Sequence, residues 1–505
     1  MQPIPPGVEL QSSVESNDER ADEEKSHISN TASWVWSAGG QRDSVMLDAD
    51  SPDNPRLSRM STMDNIASEE EVALEMEKVV ETDKKAGVTR PPNYTKLGSK
   101  LPFRIARTPE DLTPAWMTTV LRFKKVLSDD VSVEAVSTKP IGEGGGVMGV
   151  IVLVKLTLSA NAPESAPRSM VAKFSPQGKL PIPRFMLRAA FTAESHFYND
   201  FTIADGGMSR PQCYVCLYDK PRRKPTFCML LEDMMPAVSY TRVGSCSEVE
   251  KLHSAVATLA KLHARWWDHP KAPPLDWLLH PTQDYGGLLL NGFMHATKVG
   301  LAAMGKCYPE QYKPILAWQP ILKRRHKYIL NELMRPPLTL THGDAHIENV
   351  FYGERFSGSC AFIDFGNMMF SQGTYDVAFF MAHSLDVEVR RAHEKAVVAH
   401  YHEVLLANGV SPTAYPYERC WFDYRFNFWR TLIAVLTMGP NLEKQHKSGT
   451  GIFGPSPSEG EQQQRVMYEK LNERIITALL DHEWISLAQE QRTFRGVCSC
   501  LPFCF

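Results

Sequence analysis

The chain has 505 residues, enough for two lobes and flanking tails. Its 55 Lys and Arg nearly balance 58 Asp and Glu, for a net charge of −3, so no nucleic-acid footprint is present and no nucleic-acid partner is predicted. No uninterrupted apolar run is long enough to span a bilayer, and ten scattered cysteines fit reduced thiols in the cytoplasm better than a disulfide framework.

Residues 1–87 are rich in Ser, Asp, Glu, Asn and Pro and read as a disordered polar tail. The Met1 start has no basic segment leading into an apolar one, so no secretory signal is expected. One helix is predicted inside the tail, over 68–85, where Val72, Met76, Val79 and Val80 share a face. Trp34 and Trp36 read as aromatics of an unstructured segment rather than a docking patch. Order is predicted from about Arg104, and Thr113-Pro114 opens an amphipathic helix reaching Phe123.

Val131 to Pro140 alternates as a strand and runs into a glycine-rich stretch, followed by the β-branched run Val150 to Leu158. Gly144, Gly145 and Gly146 would let backbone N–H groups approach phosphate oxygens without side-chain obstruction, although a Gly-rich hairpin turn reads the same way. Ser169 to Phe174 is the next strand, with Lys173 its lone charge; a solvent-facing edge lysine is the plain alternative. A helix over 189–201 carries Glu194, and strands follow over 212–217 and 226–231. Cys213 and Cys216 lie inside the first of these and read as packing, not as zinc ligands. Val249, Leu252, Val256, Leu259, Leu262 and His263 recur at helical spacing across 247–267, with His263 a satisfied core histidine. Further helices are predicted near 292–304 and over 318–333.

The stretch 340–380 holds the densest chemistry. An apolar run ends at His342-Gly343-Asp344; Asn349 opens a short strand over 350–352; Gly358 marks a turn; and residues 360–363 form a second strand ending at Asp364-Phe365-Gly366. Strand, turn and strand make a hairpin, whose outer ends would bring Asn349 and Asp364 side by side. Such oxygen donors suit Mg²⁺, which needs only one or two protein ligands beside substrate phosphates. Asp344, one loop turn away, is placed to accept a proton from an attacking hydroxyl. His342 reads as a loop-packing residue.

Beyond Asp376, helices are predicted over 377–383, 387–408 and 417–438. In the last, Asp423, Tyr424, Trp429 and Arg430 line either an acceptor pocket or an aromatic core. A Gly-, Ser- and Pro-rich loop spans 441–461, and a final helix spans 462–491. The tail 492–505 carries Cys498, Cys500 and Cys504, whose acylation is the one route to peripheral membrane association; the prenylation box is absent. No oligomer signal is present.

The order H-G-D-x-H-x-x-N followed by I-D-F-G and Gly373-x-x-Asp376 resembles the aminoglycoside phosphotransferase and choline kinase superfamily of small-molecule kinases. The segment PEDLTPAWMTTVLR and the run after Tyr375 resemble its ecdysteroid-kinase-like branch. The resemblance implies an α+β, two-lobed protein-kinase-like fold. A small antiparallel β-sheet lobe would cover 104–233 and a helical lobe 234–491. It implies Asp344 as catalytic base and His346, at a position often occupied by histidine, as a second catalytic residue. Asn349 and Asp364 become metal ligands. Lys173, paired with Glu194, grips ATP phosphates beneath the glycine loop, and Leu231, Glu232 and Asp233 form the hinge, with Leu230 and Met234 walling the adenine. His342 and Asp376 support the catalytic loop. The implied reaction moves the γ-phosphoryl group of ATP, with Mg²⁺, to a hydroxyl of a small molecule. Three rivals stand beside it: a catalytically inactive kinase-like scaffold, a choline or sugar kinase, and a protein kinase. Against the last, only nine residues separate Gly366 from Asp376, too few for an activation loop.

Overall fold

The computed structural model describes residues 67–86, 94–96, 101–141, 149–176, 184–202, 208–219, 226–241, 244–269, 275–278, 296–440, 442–444 and 459–490. The expected glycine loop, including Gly144, Gly145 and Gly146, and the cysteines at 498, 500 and 504 lie outside these residues. Among the described residues, no helix is long and apolar enough to cross a membrane.

The predicted tail helix forms as α1, Glu69–Ala86. Ser68 and Glu71 close a reciprocal cap: the Glu71 N–H donates to Ser68 Oγ at 3.2 Å and the Ser68 N–H to Glu71 Oε2 at 2.8 Å. Helix α2, Pro114–Phe123, is capped by Thr113, whose side chain accepts from the Trp116 N–H.

Five strands then build one antiparallel sheet: β1 Val133–Pro140, β2 Val150–Leu158, β3 Ser169–Phe174, β4 Cys213–Asp219 and β5 Thr226–Glu232, in the order β1-β2-β3-β5-β4. Register sorts their side chains, because directly opposed residues share a face. Ala172 faces Val152 and Leu230, and all three join Met117, Val120 and Leu121 of α2 in a core on the outer side. Lys173 faces Ile151 and Met229 on the inner side. Leu230 therefore points away from the cleft, which corrects its expected place on the adenine wall. The inner row Ile151, Leu153 and Val171 is only partly covered.

Helix α3, Arg184–Asp200, lies beneath the sheet, with Phe191 stacked on Phe227. It joins the second and larger core, which also takes in α4 Val249–Arg265, α5 Leu301–Cys307, α6 Pro309–Leu316 and α7 Gln319–Leu333. Next come β6 Thr339–Thr341, β7 Val350–Tyr352, β8 Cys360–Phe362 and β9 Met369–Ser371. Helices α8 Thr374–Ser384, α9 Val387–Ala407, α10 Tyr417–Leu436, α11 Glu459–Asp481 and α12 Trp484–Gln489 follow among the described residues. Every residue of α8 is buried, as its all-round apolar sequence requires. A small antiparallel sheet with α2 on its outer side and α3 beneath, set on a larger helical lobe, is the two-lobed protein-kinase-like fold.

One expectation is corrected here. The final helix, expected unbroken over 462–491, splits at Glu483, which adopts φ 46°. His482 must reach Glu394 and Trp484 must donate to the Phe426 carbonyl at 2.9 Å; a continuous helix cannot turn both inward two residues apart. Of the two readings held for this part of α10, the aromatic core is the one that holds for Asp423, Tyr424 and Trp429. Asp423 is bound by Arg419 Nε at 2.7 Å, Tyr424 donates to Glu394 at 3.1 Å, and Trp429 stacks on Trp484 at 4.7 Å.

Candidate active site

The site grows from two short pairings. Strand β6 pairs with β9, so the loop leaving Thr341 and the loop entering Met369 meet. Strand β7 pairs with β8, and the Ile363 N–H donates to the Asn349 carbonyl at 3.0 Å, one residue short of Asp364. The hairpin thus seats Asn349 beside the start of Asp364-Phe365-Gly366.

Asp376, at the first turn of α8, holds the loop between them. Its carboxylate accepts the N–H groups of His342 at 2.6 Å and Gly343 at 2.9 Å, and the Nε2–H of His263 at 3.1 Å. His263 Nδ1 in turn accepts from the Tyr401 hydroxyl at 2.8 Å, so the core histidine of α4 is a strut of the loop. Gly343 takes φ +83°, and a Cβ there would lie 1.9 Å from the Asn367 carbonyl oxygen. Only glycine allows both that backbone and that approach. His342 Nε2 donates to the Ile363 carbonyl at 2.9 Å, and its Nδ1 accepts the Asp344 N–H at 3.3 Å. One ring therefore ties the loop to the hairpin, consistent with the packing part expected of it.

Asp344 Oδ2 accepts from Asn367 Nδ2 at 3.3 Å. Asn349 Nδ2 donates to the Asp344 carbonyl at 3.0 Å and to His346 Nε2 at 3.1 Å. With its nitrogen committed, Asn349 presents Oδ1, the atom a hard cation takes. His346 is 3 % exposed and stands behind Asn349, its Nε2 3.6 Å from Asp344 Oδ1.

Across the cleft, Lys173 Nζ sits 2.8 Å from Glu194 Oε2 and 3.0 Å from Asp364 Oδ1. The lysine and glutamate side chains are nearly sealed, at 8 % and 2 % exposure, whereas Asp364 keeps 37 %. Burial pushes the Glu194 carboxyl up to about 6 against the opposing pull of Lys173, and the Asp364 charge adds to the rise. Burial works against the Lys173 charge as well, but Asp364 and Glu194 outweigh it and hold the ammonium above its usual range. Asp364 adopts φ 64°, a left-handed conformation that turns its carboxylate toward the lysine while Phe365 enters the core. Phe365 stacks on Phe197 of α3 with ring centroids 3.9 Å apart and meets Tyr198 edge-on.

At the hinge, Leu231 pairs with Val171 on one side and Cys213 on the other. The Glu232 N–H donates to the Gln212 carbonyl at 2.8 Å, and its carboxylate takes Arg355. Asp233 lies past the ladder: it accepts from Ser169 Oγ and from the Met235 N–H at 3.1 Å. Lys155, Ser169, Asp233 and Met235 line part of an open cavity of about 630 Å³ at this end. Met234 is buried and its carbonyl accepts from Arg355 at 3.0 Å.

Sequence reasoning missed three members of this arrangement: Asn367 as partner of Asp344, His263 as partner of Asp376, and Tyr375, whose hydroxyl donates to the Gly343 carbonyl at 3.5 Å. A fixed position after Asp364-Phe365-Gly366 was a usable signal for Asn367; nothing in spacing marks the others.

The loop, the hairpin and Asp376 all fall inside one stretch that a family model recognises. Residues 282–409 match the ecdysteroid kinase-like family. The matched stretch holds Asp344, Asn349, Asp364 and Asp376, whereas Lys173 and Glu194 precede it. Among curated proteins, none matches the chain. Solved structures similar to it include a choline kinase from Cryptosporidium parvum, at 13 % identity over 74 % of this chain and 99 % of that one, with a TM-score of 0.42. A Plasmodium vivax ethanolamine kinase is 15 % identical over 72 % of this chain and 88 % of its own, with a TM-score of 0.41. A Streptococcus pneumoniae choline kinase is 13 % identical over 72 % and 99 %, with a TM-score of 0.37.

Proposed function

We propose that this chain is a small-molecule kinase, with residues 104–233 and 234–491 as its two lobes. One observation carries the reading: Lys173 Nζ from the sheet meets both Glu194 of α3 and Asp364 of the hairpin at 2.8 and 3.0 Å. A cation so fixed, with one partly open carboxylate beside it, is built to receive nucleotide phosphates. The acceptor hydroxyl oxygen attacks the γ-phosphorus of ATP, the bond from that phosphorus to the bridging oxygen breaks, ADP leaves, and the hydroxyl proton passes to Asp344. Asn367 orients the Asp344 carboxylate, and Asp376 with His263 fixes the loop that carries it. His346 is a positioning residue for Asn349 rather than a catalytic one.

Mg²⁺ fits the residues present. Asn349 Oδ1 and the Asp364 carboxylate form a two-residue set of hard oxygens, the number this ion takes alongside phosphates, and it would neutralise phosphate charge there. The partly covered inner row of Ile151, Leu153 and Val171 supplies an apolar roof for a base, with Asp233 and Met234 at its hinge end.

The test is ATP-dependent ADP release across a panel of hydroxylated metabolites, with Asp344→Asn as control. The variant is expected to lose a factor on the order of 10²–10⁴, the usual contribution of a general base. Undiminished turnover in Asp344→Asn would remove the assigned base. A Mg-ATP thermal shift that EDTA leaves unchanged would remove the metal from the reading.

A further inference from the structure

Arg430 of α10 is the one member of the expected acceptor cluster that does not belong to the aromatic core. Its guanidinium lies 4.0 Å over the Tyr375 ring, donates to Met369 Sδ at 2.7 Å, and reaches Ser371 Oγ. Among the described residues, no carboxylate lies within 4.0 Å of it. The carboxylate whose charge acts on it, Asp376, is already committed to His342, Gly343 and His263. Burial pulls the Arg430 pKa down, a sign that its charge is incompletely compensated.

Arg430 is half-buried, and a half-buried cation without a counter-ion is unfavourable unless an anion visits it. Its place says where that anion would sit. The Tyr375 ring beneath Arg430 touches the Gly343 carbonyl, and the charge of Asp344 acts on its phenol. The guanidinium is therefore one aromatic ring away from the catalytic loop, on α10 rather than on the sheet that meets the nucleotide. A guanidinium fork matches the planar oxygens of a carboxylate or a phosphate, and three of its five N–H groups remain for such a ligand.

We infer that Arg430 grips an oxyanion on the acceptor, a carboxylate or a phosphate, so that the molecule phosphorylated is an acidic alcohol. The inference rests on the phosphotransfer reading above and narrows its substrate class. The test uses the full chain with matched panels: hydroxy acids against their methyl esters, and hydroxyalkyl phosphates against the corresponding diols. ADP release should show kcat/KM at least tenfold higher for the charged member of a pair, and which panel responds distinguishes carboxylate from phosphate. Arg430→Met should bring charged and neutral members within about twofold, and Arg430→Lys should keep part of the preference. Equal turnover of charged and neutral members by the unmodified protein overturns the inference whether or not the variants fold. So does an Arg430→Met effect confined to the KM for ATP. If no alcohol of either kind releases ADP, the phosphotransfer reading falls and this inference with it.

Discussion

Replacing Asp376 by Asn tests the strut that fixes the catalytic loop. The carboxylate accepts three hydrogen bonds: two at Oδ2, from the His342 N–H and His263 Nε2, and one at Oδ1, from the Gly343 N–H. An amide oxygen at the Oδ2 position keeps two of them, but the NH₂ then faces the Gly343 N–H, donor against donor. One bond is lost with its N–H left buried, at about 1–3 kcal/mol, and two fall from charged to neutral strength at about 1 kcal/mol each. Relief from burying a charge offsets part of this, leaving a net loss of about 2–4 kcal/mol. Hydrogen exchange read by mass spectrometry on the peptide spanning 340–345 gives the local answer. Protection of the His342 and Gly343 amides should fall roughly 30- to 1000-fold, and the urea midpoint should drop. Unchanged exchange at both amides would refute the claim that Asp376 carries the loop, whatever happened to activity.

Three further outcomes follow from the same geometry. Glu194, raised to about 6, gains a proton as pH falls through that value and then no longer holds the Lys173 ammonium in place by charge, so nucleotide affinity should fall below about pH 6, a limb that Glu194→Gln abolishes. The sign for stability is opposite: a raised folded value means the protonated carboxyl favours the fold, a contribution present below 4.5 and lost as pH rises through about 6, to be read from urea midpoints across that window. Gly343→Ala combines φ +83° with a contact of 1.9 Å to the Asn367 oxygen, and should destabilise the loop by about 2 kcal/mol or more, lowering the melting temperature and displacing Asp344. Phe365→Ala removes a fully buried ring stacked at 3.9 Å on Phe197 and should cost about 3–5 kcal/mol, measured by denaturant titration.

How much of this was legible beforehand depends on whether a signal is local. The hairpin that seats Asn349 beside Asp364 could be read because short apolar and aromatic runs, Gly358 and close spacings act within a dozen residues. The capped helix at Ser68 and the helix of α4 were readable for the same reason. Lys173 stood out as one charge in an apolar strand, and its partners then needed only the family pattern. Leu230 was misplaced because alternation says that neighbours face opposite sides, not which side is the cleft; α2 packing on the Ala172 face decides that. Asp423 could be read as core or as pocket because its charge sits among aromatics; its partner Arg419 one turn away, with which it is buried, decides for core. His263 could be recognised as a core histidine, yet its bond to Asp376 spans 113 residues and leaves no trace in periodicity.

The placement of Phe365 makes these long-range contacts depend on one another. Glu194, Phe197 and Tyr198 lie three and four residues apart on α3, hence on one face of that helix. Phe365 stacks on Phe197 and meets Tyr198 edge-on, while the preceding residue, Asp364, reaches the same Lys173 that Glu194 holds. Seating the ring therefore fixes the helix that carries the glutamate and the carboxylate that faces it in a single packing event. A helix free to slide without Phe365 would release Glu194 from Lys173, and the lysine would remain paired with Asp364 alone. Apolar burial at 365 and ion pairing at 173 are in that sense one interaction, so their losses on mutation should not add. Phe365→Ala and Glu194→Gln combined should weaken nucleotide binding by clearly less than the sum of the single changes.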